Sequence, residues 1–241
     1  MGRGLNFQTV ARSLGDGFTS LLVDLPNHGE SMWTADWDYP GQADAVARQL
    51  RRGFAADGPV DLVGHSMGGK VAMLVALRHP DLVRRLVVLD MSPTSTAHVG
   101  EDFGHLLGSL HTLDLDALVD RNDADRRLAA RIPDPRVRGF LLQNLRRKPK
   151  GETGWEWQPH TRLLEDFLPE MSDFPDTGDA VFEGPVLWLG GDRSNYIRDE
   201  DAPRMRELFP NVRRMTVKDA GHWVHADQPE VVVAALRHFL R

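Results

Sequence analysis

The chain of 241 residues contains no cysteine. That excludes disulfides, thiolate metal sites and a cysteine nucleophile, and it fits a reducing compartment, with the cytoplasm as the expected location. Long apolar runs are missing too. The longest, such as Val71 to Leu77, stop far short of the roughly 20 residues that a membrane-spanning helix needs. The opening stretch, Met1-Gly-Arg-Gly-Leu-Asn6, holds no apolar signal core, so no secretory leader is expected. Positive charge is not in excess either. Lys and Arg number 29 against 35 Asp and Glu, a net charge of −6, whereas binding a nucleic-acid backbone needs clustered cations. No repeat or low-complexity tract stands out.

What is present suits one large soluble domain, or a core with an inserted subdomain. Residues 5–14 carry Phe7, Val10, Ala11 and Leu14 at helical spacing. Thr19-Ser-Leu-Leu-Val-Asp-Leu25 reads as a short strand, and the turn Pro26-Asn-His-Gly29 follows it. Residues 41–54 read as a helix, which Gly58-Pro59 breaks before the apolar strand Val60-Asp-Leu-Val63. A buried helix around Val71–Leu77 and a strand at Leu86–Leu89 come next. From about 93 to 180 only helices and loops are expected, with one apolar stripe at Phe103, Leu106, Leu107 and Leu110 and another at Val137, Phe140, Leu141 and Leu145. The strand–helix rhythm returns at Pro185–Leu189, with a helix around 201–209, a strand around Arg213–Val217 and a last helix at 229–240. Such alternation predicts an α/β fold with a mostly parallel sheet covered by helices on both faces. Residues 1–92 and 181–241 would form the core, and 93–180 a helical lid.

The strongest local signal is Gly64-His65-Ser66-Met67-Gly68-Gly69, placed after a strand and before a helix. A G-x-S-x-G pattern there suits a sharp strand-to-helix turn that lifts the Ser66 hydroxyl clear of the sheet. The same turn aims backbone N–H groups at a reacting carbonyl, Met67 N–H among them, close to the positive end of the helix. A plain glycine-rich turn is the alternative. Serine needs a base, and His222 in Gly221-His222-Trp223 fits, because it follows the last predicted strand and keeps the order Ser, Asp, His. His225, His65 and His28 read as structural, pocket-lining or locally bonded. Two strand ends offer an orienting acid: Asp90 after Leu86–Leu89, and Asp192 in Leu189-Gly-Gly-Asp-Arg-Ser194, with Asp219 a weaker third. Trp223 and His65 are candidates for the pocket.

Four blocks together resemble the serine-esterase branch of the α/β-hydrolase superfamily: Gly64–Gly69, Asp24-Leu-Pro-Asn-His-Gly-Glu-Ser31, Val186-Leu-Trp-Leu-Gly-Gly191 and Ala220-Gly-His-Trp-Val-His-Ala226. They look most like the bacterial YbfF-type acyl-CoA and acyl-ester hydrolases and the related abhydrolase-domain proteins. The resemblance implies Ser66 as nucleophile, His222 as base and Asp90 as acid. Ser194 falls where many other members keep their acid, which favours Asp90 further. The superfamily also implies a strand before the first helix, lying between those of Asp24 and Ser66 and ending in a His-Gly loop that gives a second oxyanion N–H. Met1–Gly4 is too short to supply it. Some 20–30 upstream residues are therefore expected, which translation of the upstream reading frame would test.

Residues 121–150 contain ten Lys and Arg against three Asp. They could draw in an anionic substrate such as an acyl-CoA, or form an ordinary solvated helical surface. Phe103, Leu106, Leu107, Phe140, Leu141, Trp155 and Trp157 could line an acyl pocket or pack the lid. The expected activity is hydrolysis of a carboxylic ester or thioester without metal or organic cofactor. The substrate would be a small molecule, with neither nucleic acid nor a membrane span involved. Lactonase, C–C hydrolase, aminopeptidase and perhydrolase chemistries stay open on such a scaffold. So does a binding protein that keeps the turn but lacks a working oxyanion hole.

Overall fold

A computed structural model describes the backbone of residues 1–241 and the side chains of all but residues 100–102. The strands among the described residues are β1 (Val60–His65), β2 (Val83–Leu89), β3 (Leu145–Arg147), β4 (Trp155–Trp157), β5 (Val186–Gly191) and β6 (Val212–Val217). The helices of the first half are α1 (Gln8–Leu14), α2 (Tyr39–Arg51), α3 (Met67–Arg78), α4 (Ala97–Leu110) and α5 (Arg121–Leu128). Then come α6 (Pro135–Leu142), α7 (Thr161–Asp166), α8 (Leu168–Ser172), α9 (Ala202–Leu208), α10 (Val224–Asp227) and α11 (Pro229–Phe239). None is long and apolar enough to cross a membrane. The chain divides into two units: a sheet unit of residues 5–23, 38–99 and 169–241, and a helical unit of residues 1–4, 24–37 and 100–168.

In the sheet unit, β1, β2, β5 and β6 lie in that order and are all parallel. Leu86-Val-Val-Leu89 is buried at every residue, as a strand covered on both faces must be. Val87 and Leu89, with Leu187 and Leu189 of β5, pack against Val10 of α1 and Val232, Val233 and Leu236 of α11. On the opposite face Val88 meets α3, where a Cβ at Gly69 would come within 3.2 Å of it. Helix α3 is buried from Gly69 to Leu77, which explains why its sequence is apolar all round.

The strand expected at Thr19–Leu25 does not form. Extended backbone becomes a strand only beside a partner that can take its N–H and C=O groups. Among the described residues no strand runs alongside it, and none lies between it and β1, which ends the sheet. Accordingly Val60, Leu62 and Val63 are only half-buried, and Leu21 is exposed.

The helical unit also corrects an expectation, since the insertion holds an antiparallel hairpin, β3–β4. Its strands are three residues each, too short for alternation to be legible, and Arg146 pairs across the ladder with Glu156 at 2.8 Å. Trp155 and Trp157 are buried in this unit, with Trp155 Nε1 donating to Leu118 O (3.0 Å). Two distant N-terminal pieces, residues 1–4 and 24–37, belong to it and are tied by bonds between side chains and main chain. Gly4 N and Glu30 N donate to the Asp24 carboxylate at 2.7 and 2.9 Å, Asn144 Nδ2 to Met1 O at 3.0 Å, and Trp33 Nε1 to Gln158 O at 2.9 Å. His28 is buried, its Nδ1–H directed at Pro26 O (3.0 Å).

Candidate active site

The side chains of interest lie in the sheet unit, at the C-terminal ends of its parallel strands, where such sheets place their sites. At the end of β1 the chain turns straight into α3. Gly64 sits where a Cβ would lie 2.3 Å from Gly68 O and 2.8 Å from the Ala72 methyl, so only glycine lets strand and helix approach so closely. Ser66 takes φ 54°, ψ −129°, a strained backbone for a residue with a side chain. It is held there by its N–H on Leu89 O (3.1 Å), while its own carbonyl accepts from Gly69 N (2.7 Å) and Lys70 N (3.2 Å). Met67 N–H is the first of α3 and has no acceptor inside the helix, which leaves it available to a ligand oxygen.

Asp90 directly follows β2, with φ 49° and no exposure to solvent. A carboxylate stripped of water needs donors around it. Gly191 N donates to Oδ1 at 2.9 Å, the Ser194 hydroxyl donates to Oδ2, and His222 Nδ1–H donates to the same oxygen at 2.8 Å. The other ring nitrogen, His222 Nε2, is 2.9 Å from Ser66 Oγ and accepts a hydrogen bond from that hydroxyl. A continuous line thus runs from a strained serine through an imidazole to a buried carboxylate. The two bonds fix the ring's tautomer, with the proton on Nδ1 and the lone pair toward the hydroxyl.

The remaining sequence candidates take other places. Asp192 is exposed, and its Oδ1 accepts from Ala220 N (3.2 Å), tying down the loop that leads to His222. Asp219 is exposed and pairs with Arg193. His65 Nε2–H donates to His222 O at 2.8 Å, with its ring 4.7 Å from that of His222 and 4.7 Å from that of His225. His225 stacks on Phe7, also at 4.7 Å. Burial holds both neutral, His65 well below the usual histidine range and His225 pushed down to about 4. These rings pack face and edge rather than converging as ligands, and no three His, Asp or Glu among the described residues could hold a metal ion. Trp223 is half-buried and caps α10.

Two contributors have little sequence signal. The Ser194 hydroxyl on Asp90 comes from a loop in which the acidic Asp192 is the more conspicuous residue. Tyr196 lies almost parallel to His222, with ring centroids 3.7 Å apart and planes at 17°. Only its being an aromatic just beyond Ser194 points to it.

Residues 2–229 match the family described as the alpha/beta hydrolase fold. The mouse sn-1-specific diacylglycerol lipase ABHD11 is 34% identical over 99% of this chain and 78% of its own length. Esterase YbfF of Escherichia coli is 25% identical over 98% of this chain and 87% of its own. Among solved structures, a marine microorganism esterase superposes with a TM-score of 0.93 at 31% identity, covering 99% of this chain and 91% of that one.

Proposed function

The chain belongs to the α/β-hydrolase fold family and is an ester hydrolase, and we propose that it works through an acyl-enzyme on Ser66. The observation that carries this reading is the line of bonds from Ser66 Oγ to His222 (2.9 Å) and from His222 to Asp90 (2.8 Å). His222 Nε2 takes the hydroxyl proton as Oγ attacks the carbonyl carbon, and Asp90 stabilises the imidazolium that forms. Met67 N–H donates to the oxygen that becomes negative. The tetrahedral adduct collapses, the ester C–O bond breaks, and His222 gives its proton to the leaving alcohol. Water, deprotonated by the same imidazole, then attacks the acyl-serine, and the acid leaves with Ser66 restored.

For the substrate, the lipase and esterase names of the relatives make a neutral acyl ester the class to try first. The alternative, an acyl-CoA drawn in by the basic insertion, has less support because those cations are largely engaged. Arg126 and Arg127 pair with Asp123, Arg138 with Asp125, Arg146 with Glu156 and Lys148 with Asp116. Arg121 binds Leu145 O, and Arg147 lies over the Trp155 ring.

A fluorophosphonate probe tests the chemistry directly. Wild type should label on Ser66, Ser66→Ala should not label, and both should hydrolyse or fail to hydrolyse p-nitrophenyl esters accordingly. A folded wild type that neither labels nor turns over would favour the non-catalytic reading.

A further inference from the structure

Two hydrogen bonds, one donated by Nδ1 and one accepted by Nε2, define the direction in which the His222 ring points but leave it able to rock out of its own plane. Tyr196 lies flat against that ring at 3.7 Å and 17°. We propose that Tyr196 is a positioning residue for the ester hydrolysis, fixing the plane of His222 and stabilising its protonated form. The inference rests on the reading of Ser66, His222 and Asp90 given above.

Tyr196 is itself held firmly. Its N–H donates to Ser194 Oγ at 3.3 Å, the same hydroxyl that donates to Asp90, so the acid and the stacking ring share one anchor. Its carbonyl accepts from Ser92 Oγ (3.0 Å), two residues beyond Asp90. The loop then turns on Asp201, a buried carboxylate that accepts from Thr94 Oγ1 at 2.9 Å and from Arg198 N at 2.8 Å. Next to Tyr196, Ile197 packs so closely on β5 that a Cβ at Gly190 would lie 2.8 Å from its Cδ1. A ring on such a frame is preorganised rather than swept into place by substrate.

The face of an aromatic ring carries negative potential, so it favours an imidazolium over a neutral imidazole. In the proposed mechanism His222 takes up a proton as the tetrahedral adduct forms and is charged while that adduct exists. Tyr196 therefore stabilises the transition state more than the ground state, which is the condition for accelerating the chemistry. The other groups around His222 leave that preference intact. Asp90 adds negative charge on Nδ1, and His65 and His225 are held neutral by burial, so they do not repel the imidazolium. Asp227 faces His225, and its carboxylate takes up Gly221 N (2.8 Å).

The experiment compares Tyr196→Leu, which keeps an apolar side chain without a ring face, with Tyr196→Phe, which restores the face. With a p-nitrophenyl ester, Tyr196→Leu should lose about tenfold in kcat with little change in KM. The acidic limb of its kcat/KM profile should move to lower pH by about half a unit. Tyr196→Phe should recover both. NMR titration of the His222 ring protons in each protein reads the same shift without turnover. Loss of packing alone would lower kcat without moving the limb or the titration. If Tyr196→Leu does not fold by circular dichroism, Tyr196→Met carries the same comparison. Unchanged kcat and titration in the ringless variant, or a limb that moves to higher pH, would overturn the proposal. An active Ser66→Ala control would instead sink the acyl-serine reading, and the NMR titration would still judge Tyr196.

Discussion

The sheet unit and the helical unit differ in how deeply they bury charge. In the sheet unit some ionised groups are stripped of water and satisfied by main chain, hydroxyls or one another, while others, such as Asp192 and the Arg193–Asp219 pair, stay exposed. Lys70 is wholly buried, with Nζ donating to Ser172 O (3.0 Å), Asp173 O (2.8 Å) and Thr96 Oγ1 (3.3 Å), and Asp90 and Asp201 are also buried in this unit. In the helical unit most charges sit on the surface and pair with near neighbours, as Arg126 and Arg127 do with Asp123. Burying a charge costs several kcal/mol before any pairing, so a fold keeps one only where geometry repays it. A buried, fully partnered ion is therefore a guide to chemistry or to a structural clamp, and an exposed ion pair is a guide to neither.

The two acids at adjacent strand ends test this most severely. Asp90→Asn presents an amide to His222 Nδ1 and disturbs the tautomer, so kcat should fall by about 10³–10⁴-fold with the fold retained. Asp192→Asn keeps the oxygen that accepts from Ala220 N, and ester turnover should stay within about twofold. Equal losses in the two would erase the distinction between a buried and an exposed carboxylate.

That distinction is only half legible in the sequence. Position after a strand nominates Asp90 and Asp192 alike; burial separates them, and burial depends on which loop folds over which strand end. The elbow was readable because Gly64, Ser66 and Gly69 form a local motif whose sterics act within a few residues. Chain order nominates His222, and the structure sets its ring 2.9 Å from Ser66 Oγ. Tyr196 and the Ser194 hydroxyl were not readable, since their roles arise from a loop pinned to Ser92 and Asp201, more than a hundred residues apart. The sheet's buried strands announced themselves as apolar runs. Thr19–Leu25 carries the same composition yet remains unpaired, because a strand is a property of two segments and composition reports on one.

Lys70 offers the next largest effect. Lys70→Met removes the donor from two carbonyls and a hydroxyl, and it also relieves a buried charge, so the losses partly offset. A net destabilisation of about 2–3 kcal/mol is expected from urea midpoints. Arg146→Met, breaking an exposed cross-strand pair, should shift the midpoint by less than about 0.5 kcal/mol. A Lys70→Met protein as stable as wild type would mean that the clamp contributes nothing beyond its own desolvation.

Acid should expose a weakness in the helical unit, where the deeply buried ring of His28 behaves like the groups buried in the sheet unit. Burial pushes His28 down to about 3. Its folded value lies below the unfolded one, so the unfolded chain takes up the proton first as pH falls. Stability from this group is fully present above about pH 6.5 and is lost progressively toward pH 3, with roughly 2 kcal/mol gone by pH 5. Urea unfolding at several pH values should show this slope, and His28→Phe should flatten it. A slope unchanged by the substitution would place the acid-labile group elsewhere.

The smallest effect concerns the basic surface of the insertion. Arg126 and Arg127 share one carboxylate, and the Arg126 side chain is 70% exposed. Exposed pairs spaced three and four residues apart on a helix contribute a few tenths of a kcal/mol, and salt screens them further. The double variant Arg126→Ala, Arg127→Ala should therefore unfold within about 0.5 kcal/mol of wild type. The same screening decides whether these cations capture substrate. Two guanidiniums on one carboxylate leave a net charge of only +1, exposed and screened, so raising the salt should change KM for an acyl-CoA no more than for a neutral ester. The double variant should leave both values of KM as they are. A selective rise in the acyl-CoA KM, in salt and in the variant alike, would show that the insertion's surface charges act on ligand despite being exposed and paired, and the contrast between the two units would no longer separate functional from incidental charge.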